Sequence, residues 1–118
     1  MSLVARYLEE NNLSTVIIGS ARDVVEECGV ARFVFSDFPL GNPCGKPWDV
    51  AMQHSIMGMA LDLLERAWMP RSTIQTPFQW DNEEWREKFM RVDESNLETL
   101  AREGEMRRQF QADMKKDR

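Results

Sequence analysis

The stretch Ser14–Phe38, STVIIGSARDVVEECGVARFVFSDF, decides the fold. It holds two short apolar runs, Val16-Ile17-Ile18 and Phe33-Val34-Phe35, and both are continuous rather than alternating. A strand with one face in water alternates polar and apolar residues, whereas a continuous run fits a strand buried on both faces. Between the runs, Val24, Val25 and Cys28 recur at helical spacing, with Ser20 placed to cap a helix and Gly29 to end it. Strand, helix, strand over so short a span predicts a parallel pair joined by a crossover helix.

Working outward, Ser2 to Asn11 reads as a helix capped by Ser2, with Leu3, Tyr7 and Leu8 on one side and Asn11-Asn12 as its break. Residues 1–36 are therefore α-β-α-β, the repeating unit of a three-layer α/β fold. After the second run comes SDFPLGNPCGKPWD, Ser36–Asp49, a loop crowded with glycine and proline. A long helix follows from about Pro47 to Met69, with Pro47 suited to its first turn. Val50, His54, Met57, Leu61, Leu64 and Trp68 form one stripe, and Ile56, Ala60, Leu63 and Ala67 widen it. A third short strand is predicted around Thr73 to Thr76. Beyond Asp81 the chain is dense in charges of both signs; Trp80, Trp85, Phe89 and Met90 give its first part something to dock. Residues 93–118, with sparse Leu97, Leu100, Met106 and Phe110, read as a solvated helical arm.

The expected fold class is thus α/β, a partial three-layer parallel sheet of two or three strands with a long helix. The expected division is an α/β half-domain over 1–80 and a charged helical extension over 81–118. So small an open sheet leaves edges unpaired, and the long helix is apolar on most sides. The missing strands are expected from another chain, either a second copy or a different subunit.

Composition narrows the class of function. The 118 residues carry a net charge of −5, which disfavours a protein that lives on nucleic-acid phosphates. No apolar run is long enough to cross a bilayer, and no charged-then-apolar leader opens the sequence, so a cytoplasmic location is expected. Cys28 and Cys44 are too few for a disulfide framework and lack zinc-site spacing, so no metal site is expected. The eight methionines suit gap filling in a core or at an interface.

The loop carries the candidate chemistry. It follows a strand of an open α/β sheet, the end at which such sheets bind ligands. Gly41 and Gly45 permit close approach, the next helix offers free amides and a positive dipole end, and Lys46 adds a cation. Gly41, Asn42, Gly45 and Lys46 are the candidate anion-binding residues, for a carboxylate or a phosphate. The GxxxxGK[ST] spacing of a P-loop is absent. The same residues also suit a tight strand-to-helix turn. Cys44 beside a helix N-terminus is the candidate nucleophile, since such thiols are acidified. His54, the one histidine, lies too far along the helix to serve as its base and is expected in a core or an interface. Cys28 is expected to be buried and inert.

Residues 4–65 resemble the carboxy-terminal part of the selenoprotein B family, the substrate-specific components of glycine, sarcosine, betaine and D-proline reductases. The resemblance rests chiefly on Asp37-Phe38-Pro39-Leu40-Gly41-Asn42-Pro43 with Gly45, Pro47, Asp49 and Gln53. It implies redox chemistry at carbon–nitrogen bonds, in which a selenocysteine or cysteine of a U/C-x-x-C motif attacks the substrate and displaces an amine. Neither Cys28 nor Cys44 belongs to a C-x-x-C pair, so the family's nucleophile falls on no residue of this sequence. The implied partner is a second subunit that carries the redox cysteine or selenocysteine, and the implied ligand is a small amino-acid-like carboxylate. Cofactor content is left open. Two readings follow: a subunit of a reductase-like, thiol- or selenol-dependent enzyme whose loop helps form the active site, or a non-catalytic structural subunit that retains an enzyme-derived fold.

Overall fold

The computed structural model describes residues 1–88 and 91–116. Among these, the chain divides into two compact units, Met1–Glu83 and Glu84–Arg118.

The first unit is built on a parallel sheet of three strands in the order β1-β2-β3: β1 (Ile17–Gly19), β2 (Arg32–Phe35) and β3 (Ser72–Gln75). Register pairs Ile18 with Val34 and Val34 with Ile74, so the continuous apolar runs lie side by side. The predicted parallel pair is present, and the third strand sits one residue earlier than Thr73–Thr76. Three helices accompany the sheet: α1 (Ser2–Glu10), α2 (Arg22–Glu27) and α3 (Val50–Arg66).

Each strand presents alternate residues to opposite layers. Val34 is fully buried with Ala60 and Leu63 of α3, and Val16, Ile18, Ala67 and Ile74 pack against them. The other face carries Phe33 and Phe35, with ring centroids 6.2 Å apart. Phe33 is buried close to Gly19, where an added Cβ would meet its ring at 3.2 Å and Val25 at 3.7 Å. At the amino end of the sheet, Glu9 of α1 takes hydrogen bonds from the Thr15 amide, the Thr15 hydroxyl at 2.8 Å and the Arg32 guanidinium at 2.9 Å. Burial works to raise the Glu9 carboxyl, but these donors outweigh it and hold the group below its usual range.

Helix ends depart from expectation in three places. Ser2 lies inside α1, with Met1 at the cap position and no side-chain cap. Ala21, not Ser20, precedes α2, again without a side-chain cap. α3 begins after Asp49, whose carboxylate accepts from the Met52 amide at 3.0 Å, and Pro47 stays outside the helix in the loop. An acidic cap satisfies an orphan amide and complements the dipole, which a proline in the first turn does not. Gly29 does end α2, at φ +69°.

The broad apolar surface predicted for α3 separates into two faces. Ile56, Ala60 and Leu63 are buried against the sheet, whereas Val50, Met57 and Leu61 are exposed, as is His54; the helix ends at Arg66, short of the expected Met69, so Trp68, also exposed, lies beyond it. His54 therefore belongs to an outer face, not to the core. Cys28 is half-buried at the end of α2 rather than fully enclosed, and both cysteines are free thiols.

The second unit contains α4 (Glu84–Lys88) and α5 (Leu97–Lys116). α5 is preceded by a turn in which Asp93 accepts from the Ser95 amide at 3.1 Å and donates its own amide to Asn96 at 2.9 Å. Its apolar residues Leu97, Leu100, Met106, Phe110 and Met114 are exposed. Of the four residues expected to dock this tail, Trp80 belongs to the first unit and packs on Phe38. Trp85 is half-buried with Arg86 over its ring, and Phe89 and Met90 lie outside the described residues.

Candidate functional site

The loop leaves the carboxyl end of β2, the central strand, and delivers the chain to α3, which runs back toward the amino end of β3. Its path is a succession of turns. The Asn42 amide donates to the Pro39 carbonyl at 3.1 Å, Gly45 to Asn42 at 3.3 Å, and Asp49 to Lys46 at 3.3 Å. The Gln53 side chain reaches back from α3 and donates to the Lys46 carbonyl at 2.7 Å. Gly41 and Gly45 take φ of +99° and +114°, a region that side-chain-bearing residues avoid.

These bonds bear directly on the expected anion cradle. The amides of Asn42 and Gly45 are spent inside the loop, and the Lys46 ammonium is paired with the Asp81 carboxylate. The helix N-terminus already holds a carboxylate, that of Asp49. Gly45 is buried, and a Cβ there would come within 3.2 Å of Met52 Cγ and 3.4 Å of Gln53 Cγ. Its missing side chain serves the close approach of loop to helix. Gly41 is the reverse case, exposed with nothing within 4 Å of an added Cβ. Gly41, Asn42, Gly45 and Lys46 therefore build a turn that closes on itself. Cys44 lies exposed in that turn, His54 is exposed on α3, and no hydrogen bond joins them among the described residues.

The carboxyl end of the sheet has a feature that the sequence did not single out. β1, β2 and β3 end in register at Gly19, Phe35 and Gln75, and the next residues are Ser20, Ser36 and Thr76. The ladder carries on through them: Ser36 donates its amide to Gly19 at 2.9 Å, and Thr76 donates to Phe35 at 2.9 Å. All three side-chain hydroxyls are buried without a hydrogen-bond partner among the described residues. Ser36 is 0% and Thr76 3% exposed. An unsatisfied buried hydroxyl costs about 1–3 kcal/mol, so three in one row form a concentrated expense. Serine or threonine after a strand ordinarily reads as turn chemistry. The signal that could have marked these residues is their common position, one step beyond each strand.

Two contacts tie together the segments that leave this row. Phe38, buried after β2, packs its ring 5.3 Å from that of Trp80, which follows β3. Lys46 and Asp81 add the ion pair between the same segments. Trp48, at the tip before α3, is held at φ +66° with 95% of its surface exposed. An exposed tryptophan in a strained backbone gains nothing within this unit.

Among the described residues, no group of three His, Cys, Asp or Glu side chains is placed to hold a metal ion, and no helix is long and apolar enough to cross a membrane. Searches against family models, curated proteins and solved structures find no match to this chain.

Proposed function

We propose that this chain is one subunit of a reductase-like, thiol- or selenol-dependent enzyme, and that it supplies the substrate end of an active site completed by another chain. The observation that carries the reading is the row Ser20, Ser36 and Thr76, unpartnered hydroxyls at the carboxyl end of a parallel sheet, where α/β enzymes bind small ligands. The loop resemblance supplies the reaction class: reductive displacement of an amine from a small amino-acid-like carboxylate. The nucleophile then comes from outside these 118 residues, on a subunit with a redox cysteine or selenocysteine, or the chain associates with a second copy of itself.

Three features support a partner chain. The sheet has two open edges, β1 and β3. α3 presents Val50, Met57 and Leu61 to solvent on a flank beside its buried face. Gly58, in the middle of that helix, has nothing within 4 Å of an added Cβ among the described residues, so close packing within them does not account for its cost to the helix.

The structural-subunit reading is favoured by one specific observation: Lys46 is neutralised by Asp81, and the loop amides are internally bonded. The test is co-purification with a chain that carries the U/C-x-x-C motif, followed by measurement of ammonia release from glycine with dithiothreitol as reductant. Stable association with release that neither chain gives alone supports the enzymatic reading. A monodisperse monomer that neither binds such a chain nor raises its turnover refutes it. Association with turnover unchanged by this chain supports the structural one.

A further inference from the structure

The helix α5 keeps an apolar face in solvent. Leu97, Leu100, Phe110 and Met114 are exposed, and with Glu103, Gly104 and Arg107 they recur at steps of three and four residues. All seven therefore share one face about 140° wide, from which Met106 stands apart. The face is apolar at each end and charged in the middle.

The charges are sorted along the chain. Residues 93–105 hold five carboxylates and one arginine, whereas residues 106–118 hold five basic residues and two carboxylates, a net −4 against +3. A helix dipole favours such a bias only in the first and last turns. Glu103, Glu105, Arg107 and Arg108 stand within about one turn of the middle of α5, where the dipole gives no reason for it. Arg108 meets Glu105 at 2.9 Å, but Glu103 and Arg107 make no hydrogen bond or ion pair among the described residues.

Turned end for end, this face is its own complement. With Gly104 set opposite Arg107 of a second, antiparallel α5, Leu97 falls opposite Met114, Leu100 beside Phe110, and Glu103 beside Arg107. Every contact then occurs twice, as a two-fold interface requires. Gly104, where an added Cβ would meet nothing within 4 Å, leaves room for the stem of the opposing Arg107. A parallel pair would instead set Glu103 against Glu103 and Arg107 against Arg107.

We propose that α5 pairs antiparallel with α5 of a second copy of this chain, through the Leu97–Met114 and Leu100–Phe110 contacts and two central Glu103–Arg107 ion pairs. The paired length, from Leu97 to Met114, is about 26 Å at 1.5 Å per residue, so the interface is small and the dimer forms as concentration rises. The pairing stands apart from the enzymatic reading, since it uses no residue of the sheet or of the loop.

The experiment is sedimentation equilibrium of the full chain against concentration, for the wild type, Glu103→Arg, Arg107→Glu and the double variant. Circular dichroism checks that each keeps its helix. Each single variant should dimerise about tenfold more weakly, because two attractions become two repulsions. The double variant, and an equimolar mixture of the two single variants, should regain the wild-type affinity. Added salt should narrow the gap between single variants and wild type. A wild type that stays monomeric up to about 1 mM would overturn the proposal. So would single variants that associate as wild type does, which would assign the dimer to the sheet edges or to α3. A double variant and a mixture as weak as the single variants would overturn it too, by tracing the loss to the helix itself. The result is separable from the enzymatic reading: a monomer that raises the turnover of a redox subunit keeps the enzyme and removes the pairing, and a charge-dependent dimer that activates no such subunit does the reverse.

Discussion

The two loop glycines offer a controlled measurement of what the loop is built for. Gly41 and Gly45 share a positive φ, +99° and +114°, but differ in surroundings. An alanine at either position incurs the backbone strain, on the order of 1–3 kcal/mol, less the 0.4–1 kcal/mol or so by which it restricts the unfolded chain. At Gly41 nothing lies within 4 Å of the new methyl, so a net cost of about 1–2 kcal/mol is expected. At Gly45 the methyl also meets Met52 Cγ at 3.2 Å and Sδ at 3.3 Å. Overpacking costs about 1–3 kcal/mol, and the flexible thioether yields in part, so Gly45→Ala is expected to cost about 1–2 kcal/mol beyond Gly41→Ala. For a unit of this size each kcal/mol moves the melting temperature by about 4–8 °C. Urea melts of the two single variants, of Met52→Ala and of Gly45→Ala/Met52→Ala give the coupling directly. The double variant should recover the excess over Gly41→Ala. Equal costs at the two glycines, or no coupling to Met52, would refute the close-approach account and return Gly45 to the role of a ligand contact.

Two further outcomes are expected from the same fold. Glu9→Gln should flatten the acid limb of the stability profile: a carboxyl held below its ordinary value of 4.5 contributes stability above that value and loses it as pH falls through the depressed one. The difference between wild type and variant in denaturant melts should therefore be full near neutral pH and shrink as pH falls below 4.5 and through the depressed value, and a difference independent of pH would exclude the Thr15 and Arg32 network as its source. Asp49→Ala should lower stability by about 1 kcal/mol, with Asp49→Asn close to wild type, because the cap at Met52 needs an acceptor; thermal melting of the two variants checks it.

The sheet was legible because its signal is dense and local. Val16-Ile17-Ile18 and Phe33-Val34-Phe35 are continuous; the central β2 buries Phe33 and Val34 on its two faces, whereas β1, at the edge, is half-buried throughout. The register that places Val34 between Ile18 and Ile74 follows from the same property. Helix ends were less legible, since Ser2, Ser20 and Pro47 each had a plausible neighbour one to three residues away, and a cap is decided by one hydrogen bond. On α3 the apolar residues were identified correctly but not divided. Val50, Met57 and Leu61 obey the helical period as well as Ile56, Ala60 and Leu63 do, and periodicity carries no sign for which stripe meets the sheet. That choice is made by volume. Ala60 lets the helix approach Val34, whereas Met57 or Leu61 at that position would hold it away.

The candidate site was read from signals of a different kind, and the difference has a physical cause. Charge and glycine announce themselves in a sequence, so Lys46, Gly41 and Gly45 drew the functional reading toward the loop. In the fold those groups answer one another: Lys46 meets Asp81, the Gly45 amide meets Asn42, and the α3 N-terminus meets Asp49. A charged group that a chain can satisfy locally is a poor candidate for ligand binding in the closed state, because a ligand must first displace the internal partner. Ser20, Ser36 and Thr76 have no hydrogen-bond partner among the described residues. Their polarity is weak enough to survive burial and strong enough to make that burial costly, and they stand at the one end of a parallel sheet where loops converge. The division that results is between charged and flexible residues that bond to one another in the loop and hydroxyls that the end of the sheet buries without a partner among the described residues. The first set is written in charge and backbone freedom; the second is visible only once three strands, far apart in sequence, are laid in register.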